Sequence, residues 1–118
     1  MSSTEQDPAR LAVIDIGTNS IRLVVAEALE EGGYRTLDDE KVMARLGKGI
    51  ATTGSIDPDS IQIAADAVHR MKQIADGYNV NRLRAIATAA VRDAHNGDEV
   101  VRAMETRAEI PIEIITED

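Results

Sequence analysis

Apolar residues fall into short unbroken runs in the first third of the chain and into helically spaced sets after it. Residues 11–16 (LAVIDI) are apolar except for Asp15. A run so short, ending at Gly17, predicts a buried central strand rather than a helix. Thr18, Asn19 and Ser20 are turn formers, and residues 21–28 follow as a second β-rich run. A Glu-Glu-Gly-Gly turn at residues 30–33 leads to a third, partly irregular strand over residues 34–46. Three strands joined by short turns make an antiparallel meander.

The pattern then changes. Residues 47–55 (GKGIATTGS) read as a Gly- and Thr-rich loop, and Asp57-Pro58 supplies an N-cap followed by proline at the first helical position. Ile61, Ala64, Ala65, Val68, Met71 and Ala75 then share one helical face, and Gly77 and Asn79 mark its end. Residues 83–87 predict a short strand and residues 90–96 a helical turn. Asn96 then caps a second helix with Val100, Val101, Met104 and Ala108 on its inner face, and residues 111–115 (PIEII) form the last strand. The order β-β-β-α-β-α-β, with later strands separated by helices, predicts an α/β fold: the mixed five-stranded sheet of ribonuclease-H-like proteins.

Composition narrows the chemistry. Hydrophobic residues make up 43% of the 118 positions with no Phe or Trp and two Tyr, so the core must be aliphatic, and the composition argues against an aromatic platform for single-stranded nucleic acid. A formal charge of -8 argues against a polyanion held by diffuse charge, so no nucleic-acid partner is expected. Any phosphate would have to be met by backbone amides, a metal or a few placed arginines. Cysteine is absent, and His69 and His95 are the only histidines, which removes thiolate chemistry and leaves little for a histidine metal site. No signal-like segment and no apolar run of roughly 18 to 20 residues occurs, so a soluble, cytoplasmic protein without a membrane partner is expected.

The turn Asp15-Ile16-Gly17-Thr18-Asn19-Ser20 carries the candidate chemistry. It offers a carboxylate at a strand end, a glycine that lets backbone approach a ligand, and consecutive amides and hydroxyls able to hold phosphate oxygens. Residue type alone leaves two readings open, a phosphate turn or a plain hairpin with a satisfied polar end. The placing of Asp15 inside an apolar strand favours the first, because a charge buried there needs a compensating partner.

The stretch AVIDIGTNSIRLVVAE (residues 12–27) resembles the opening phosphate loop of the exopolyphosphatase/guanosine pentaphosphatase (Ppx/GppA) family, a branch of the actin and sugar-kinase superfamily. Three further stretches are similar to family segments in order and spacing. They are RLGKG at 45–49 with TGSI at 53–56, ATAAVRDAHN at 87–96, and PIEII at 111–115. The resemblance implies an N-terminal half-domain over residues 11–118, preceded by a flexible lead at residues 1–10 and incomplete before its last helix. It implies that Gly17, Thr18, Asn19 and Ser20 bind phosphate, that Asp15 lies at a Mg²⁺ ion, and that Arg92 binds phosphate from a loop shaped by Thr88 and Asn96. Arg22 is either a second positive charge near a terminal phosphate or an exposed strand residue, and Arg45 is either cleft-lining or structural.

What the resemblance implies for activity is hydrolysis of terminal phosphates from polyphosphate or guanosine pentaphosphate by the parent enzyme, with guanosine tetraphosphate a further ligand. The general base would be a glutamate beyond Asp118, so neither Glu117 nor Asp118 takes that role and residues 1–118 alone would turn over little substrate. Other readings are a non-catalytic module for phosphate or the guanosine alarmone, and a piece of a superfamily kinase. An uncovered sheet face would favour a homodimer.

Overall fold

The computed structural model describes residues 7–115. These form one mixed sheet of β1 (Arg10–Ile16), β2 (Ile21–Ala28), β3 (Tyr34–Val42), β4 (Arg82–Ala87) and β5 (Glu113–Ile114), in the spatial order β3-β2-β1-β4-β5. The first three strands pair antiparallel, β4 lies parallel to β1, and β5 lies parallel to β4. Helices α1 (Ile50–Thr53) and α2 (Pro58–Gly77) connect β3 to β4, and α3 (Ala89–Asp93) and α4 (Gly97–Ala108) connect β4 to β5. The expected ribonuclease-H-like sheet is therefore present, with β1 at its centre.

Side chains alternate across β1 and β2, and one face is sealed. Ala12, Ile14 and Ile16 of β1 and Ile21, Leu23 and Val25 of β2 are buried together with Ala64, Val68, Met71 and Ala75 of α2 and Val100, Met104 and Ala108 of α4. Burying each branched aliphatic side chain contributes about 1.5–3 kcal/mol, which is why the strand period and the helical faces must agree. The inner faces read from the sequence hold, except that Ile61 and Val101 are only partly buried. The opposite face of the sheet is open. Val13 is 40% exposed there, and Asp15, Arg22 and Arg84 are exposed beside it. Among the described residues no helix is long and apolar enough to cross a membrane.

Several expectations need correcting. The third strand stops at Val42 rather than Leu46, because Arg45 takes a left-handed backbone (φ 55°) and turns its N–H to Asn19 of the β1–β2 turn. The Gly- and Thr-rich segment is not all loop. It holds α1, bracketed by Gly49 and Gly54 at φ 91° and 79°, which a side chain rarely adopts. Asp57 and Asn96 occupy N-cap positions, but neither side chain makes a cap hydrogen bond. Asp57 lies 3.9 Å from the Lys48 ammonium, and the Asn96 amide is spent on Ile56. The expected last strand shortens to two residues. Residue Arg10 already belongs to β1 and the Ala9 carbonyl accepts from the Ala28 N–H, while residues 1–6 of the expected lead, and Thr116, Glu117 and Asp118, lie outside the described residues.

Candidate functional site

The parallel strands β1 and β4 end side by side, at Ile16 and Ala87, so that the turn at residues 17–20 and the segment from Thr88 start next to each other. Thr88 joins the two tips. Its N–H and its hydroxyl both donate to the Ile16 carbonyl, at 3.1 and 3.3 Å. The chain after Ile16 then reverses within residues 17–20, closed by a 2.9 Å bond from the Gly17 N–H to the Ser20 carbonyl. A side chain at Gly17 would put its first carbon 3.2 Å from that same carbonyl oxygen, so the tight turn favours glycine.

Two carbonyls of this turn are tied to the segment that follows β3. The Gly47 N–H donates to the Thr18 carbonyl and the Arg45 N–H to the Asn19 carbonyl, both at 2.9 Å. Among the described residues, the amides of Thr18, Asn19 and Ser20 donate to no protein acceptor. Thr18 also borders a cleft of about 300 Å³ lined by Gly47, Ile50, Ala51, Ala89, Ala90 and Asp93. A larger hollow of about 470 Å³ opens at the other end of β1, around Asp7, Tyr78, Asn79 and Asn81. Its arginine, Arg10, is already bonded to Glu27 and to the Tyr78 carbonyl.

Asp15 is exposed, and among the described residues its carboxylate accepts no hydrogen bond. Asp15 is thus not the buried charge expected from its apolar run: Ile14 and Ile16 fill the core, while Asp15 points to the open face and needs no compensating partner. Arg22 is its register partner across β1 and β2. The guanidinium is forked onto Asp39 of β3, Nε to Oδ1 at 2.9 Å with Nη2 on Oδ2. This bonding raises the Arg22 pKa, Asp15 adding to it, and lowers that of Asp39. Arg22 thus stands on the same face as Asp15, held by a residue the sequence reading did not single out.

Arg92 lies on α3, its Nε 3.0 Å from Asp93 Oδ1 and its Nη1 3.4 Å from the Ile115 carbonyl past β5. The bond to Arg92 lowers the Asp93 pKa. Asn96 is not part of this cluster. It clamps Ile56 at the start of α2. Among the described residues no group of three or more His, Asp or Glu could hold a metal. The Asp15 carboxylate, which accepts no hydrogen bond among the described residues, could offer an oxygen to a hydrated cation that also touches phosphate.

The Ppx/GppA phosphatase family model matches residues 24–118, so the Asp15–Ser20 turn precedes the matched span. The chain is 36% identical over 92 residues to exopolyphosphatase 2 of Mycobacterium tuberculosis, covering 75% of this chain and 29% of that protein. It is 30% identical over 92 residues to exopolyphosphatase 1 of Mycobacterium bovis, covering 78% of this chain and 27% of that one. The crystal structure of the Aquifex aeolicus Ppx/GppA family member superposes with a TM-score of 0.85 at 29% identity, over 91% of this chain and 35% of that one. An exopolyphosphatase from Cytophaga hutchinsonii gives 0.83 at 31%, over 90% of this chain and 34% of that one. The chain thus spans about a third of the length of the relatives it matches.

Proposed function

The chain belongs to the Ppx/GppA phosphatase family, and on that footing we propose that its β1–β2 turn grips the terminal phosphate of a linear polyphosphate in a phosphohydrolase. The observation that carries this reading is the set of three amides, on Thr18, Asn19 and Ser20, that find no protein acceptor among the described residues, in the turn that follows Asp15. Peptide N–H groups aimed at one point hold phosphate oxygens without needing net positive charge, which suits a chain of formal charge -8. The hydroxyls of Thr18 and Ser20 add donors. Arg92 on α3 and Arg22 on β2 are the arginines that would add charge, each now held by a neighbouring carboxylate that a phosphate would have to displace, and a guanidinium is the side chain best shaped to take two phosphate oxygens at once.

Asp15 is the residue that would hold a hydrated Mg²⁺, and the ion, when bound, would neutralise charge on the phosphate. The chain's own part is to bind and orient. The turn fixes the terminal phosphate against the tips of β1 and β4, so that water can approach in line with the departing oxygen. Polyphosphate is favoured over guanosine pentaphosphate because relatives from Mycobacterium are named exopolyphosphatases. Turnover, in this reading, needs parts of the relatives that the chain does not span.

The test is calorimetric titration of the 118-residue chain with tripolyphosphate in Mg²⁺ buffer, beside a phosphate-release assay. Saturable binding that weakens about tenfold or more in Ser20→Pro, which lacks both an amide proton and a hydroxyl, supports the grip. An unchanged affinity in that variant would reject it. Phosphate release at the rate of a full-length relative would overturn the dependence on the rest of the protein.

A further inference from the structure

A trans peptide holds its C=O and N–H antiparallel, so fixing one fixes the other. The structure contains no cis peptide among the described residues. The N–H of Asn19 shares its peptide with the Thr18 carbonyl, which the Gly47 N–H holds at 2.9 Å. The N–H of Ser20 shares its peptide with the Asn19 carbonyl, which the Arg45 N–H holds at the same distance. Both carbonyls are therefore pulled toward the segment after β3, and both amides are turned to the opposite side. From this geometry we infer that Arg45 and Gly47 are positioning residues, which aim the Asn19 and Ser20 amides at the phosphate through their own backbone. The inference rests on the phosphate reading of the turn.

The holding segment is itself pinned. Arg45 has φ 55°, a conformation costly for a side chain unless its surroundings enforce it. They do: its N–H is on Asn19, while its carbonyl accepts from the Lys48 N–H at 3.0 Å and from the hydroxyl of Ser60, in the first turn of α2, at 3.3 Å. Ser60 is buried, so the restraint runs from the body of the helix to the turn. Among the described residues the Arg45 guanidinium makes no hydrogen bond or ion pair, and the side chain is exposed. Its backbone does the holding. Gly47 approaches closely for the same purpose, since a first side-chain carbon there would lie 2.6 Å from the Thr18 Cγ2.

Backbone positioning gives an order of effects that a charged ligand contact would not. Arg45→Gly relieves the left-handed strain and keeps the backbone N–H that holds Asn19 and the carbonyl bonded by Lys48 and Ser60, so tripolyphosphate affinity should stay within about twofold, whereas Arg45→Val, whose branched carbon resists that backbone, should weaken it about tenfold or more. Gly47→Ala should weaken it to a similar extent, about tenfold, by displacing Thr18, and Thr18→Ser in the same chain, which removes Cγ2 and keeps the hydroxyl, should restore most of the loss. The companion measurement is residual dipolar coupling of the Asn19 and Ser20 N–H vectors without ligand. These should be preserved in Arg45→Gly and reoriented in Arg45→Val and Gly47→Ala, while vectors in α2 and β1 stay put. Equal loss of affinity in Arg45→Gly and Arg45→Val, absence of rescue by Thr18→Ser, or unmoved vectors would each overturn the inference. If the unaltered chain binds no tripolyphosphate, the functional reading fails, and the N–H vectors alone decide whether the two residues set the turn.

Discussion

Asn96 grips the backbone of Ile56 at both ends of that residue: its Oδ1 accepts the Ile56 N–H at 2.9 Å and its Nδ2 donates to the Ile56 carbonyl at 3.0 Å. Ile56 is buried two residues before α2, and Asn96 immediately precedes α4. One side chain thus fastens the start of one core helix to the start of the other. Removing it leaves two partly buried peptide groups without partners, each costing about 1 kcal/mol or more. Asn96→Ala should therefore lower stability by about 2–3 kcal/mol in urea unfolding. Asn96→Asp, which keeps an acceptor and loses the donor, should fall between. A loss below about 0.5 kcal/mol in the alanine variant would mean that water replaces the clamp freely.

Glu27 offers a pH-dependent test. Its carboxylate is buried at the edge of the core between Arg10, whose Nε lies at 3.0 Å, and Arg35, whose Nη2 lies at 2.7 Å. The bond from Arg10, then that from Arg35, lowers the Glu27 pKa against the opposing effect of burial. A carboxylate whose folded pKa is depressed contributes stability above its unfolded value and loses it as the pH falls through the folded one. The unaltered chain should therefore be more stable than Glu27→Gln at pH 7. That gap should narrow as the pH drops below the ordinary value of 4.5 and the carboxylate protonates. Urea midpoints for both chains from pH 7 to pH 3 measure it. A gap of constant size would show that packing, not charge, separates the two.

How far the sequence went depends on which physical signal each feature leaves. The order of elements along the chain and both long helices were legible because burial imposes a period, as in Val68, Met71 and Ala75 of α2 or Val100 and Met104 of α4. The outward placing of Asp15 was not, because Val13 and Val24 keep β1 and β2 apolar on both sides, and a run without alternation hides which residues face the open side. Capping positions were readable at Asp57 and Asn96, but their side chains are drawn to tertiary partners no local rule contains. The Arg22 partner depends on the β2–β3 register, which shifts between Val25 and Ala26. The left-handed backbone at Arg45 is enforced by Asn19, Lys48 and Ser60 together, so nothing in an arginine announces it.

Two glycines on helices should respond with opposite signs to the same change. Alanine favours a helix over glycine by about 0.5–1 kcal/mol, and Gly77, in the last turn of α2, has nothing within 4 Å of where a first side-chain carbon would sit. Gly77→Ala should therefore raise stability by a few tenths of a kcal/mol or more, up to about 1. At Gly97, which opens α4, that carbon would fall onto the backbone carbonyl of Val91 in α3. Backbone cannot swing aside as a side chain can, and overpacking costs about 1–3 kcal/mol, which exceeds the propensity gain. Gly97→Ala should be destabilising by thermal melting while Gly77→Ala is not, and stabilisation by both would refute the close packing of α3 against α4.

Asp15 separates the metal reading from simple charge repulsion. The carboxylate is exposed and, among the described residues, accepts no hydrogen bond, so Asp15→Asn should leave folding stability nearly unchanged, within about 0.5 kcal/mol. Its effect on ligand should depend on the metal. Without Mg²⁺ a bare carboxylate beside a phosphate repels it, so the asparagine variant should bind tripolyphosphate as well as the unaltered chain or better. With Mg²⁺ present, a carboxylate that helps hold the hydrated ion becomes an asset, and the same variant should bind several-fold more weakly, the loss shrinking as added salt screens the charges. Calorimetric titrations with and without Mg²⁺ give the two signs directly. Equal effects of the substitution in both conditions would remove Asp15 from the metal site while leaving the amides of the turn as the phosphate grip.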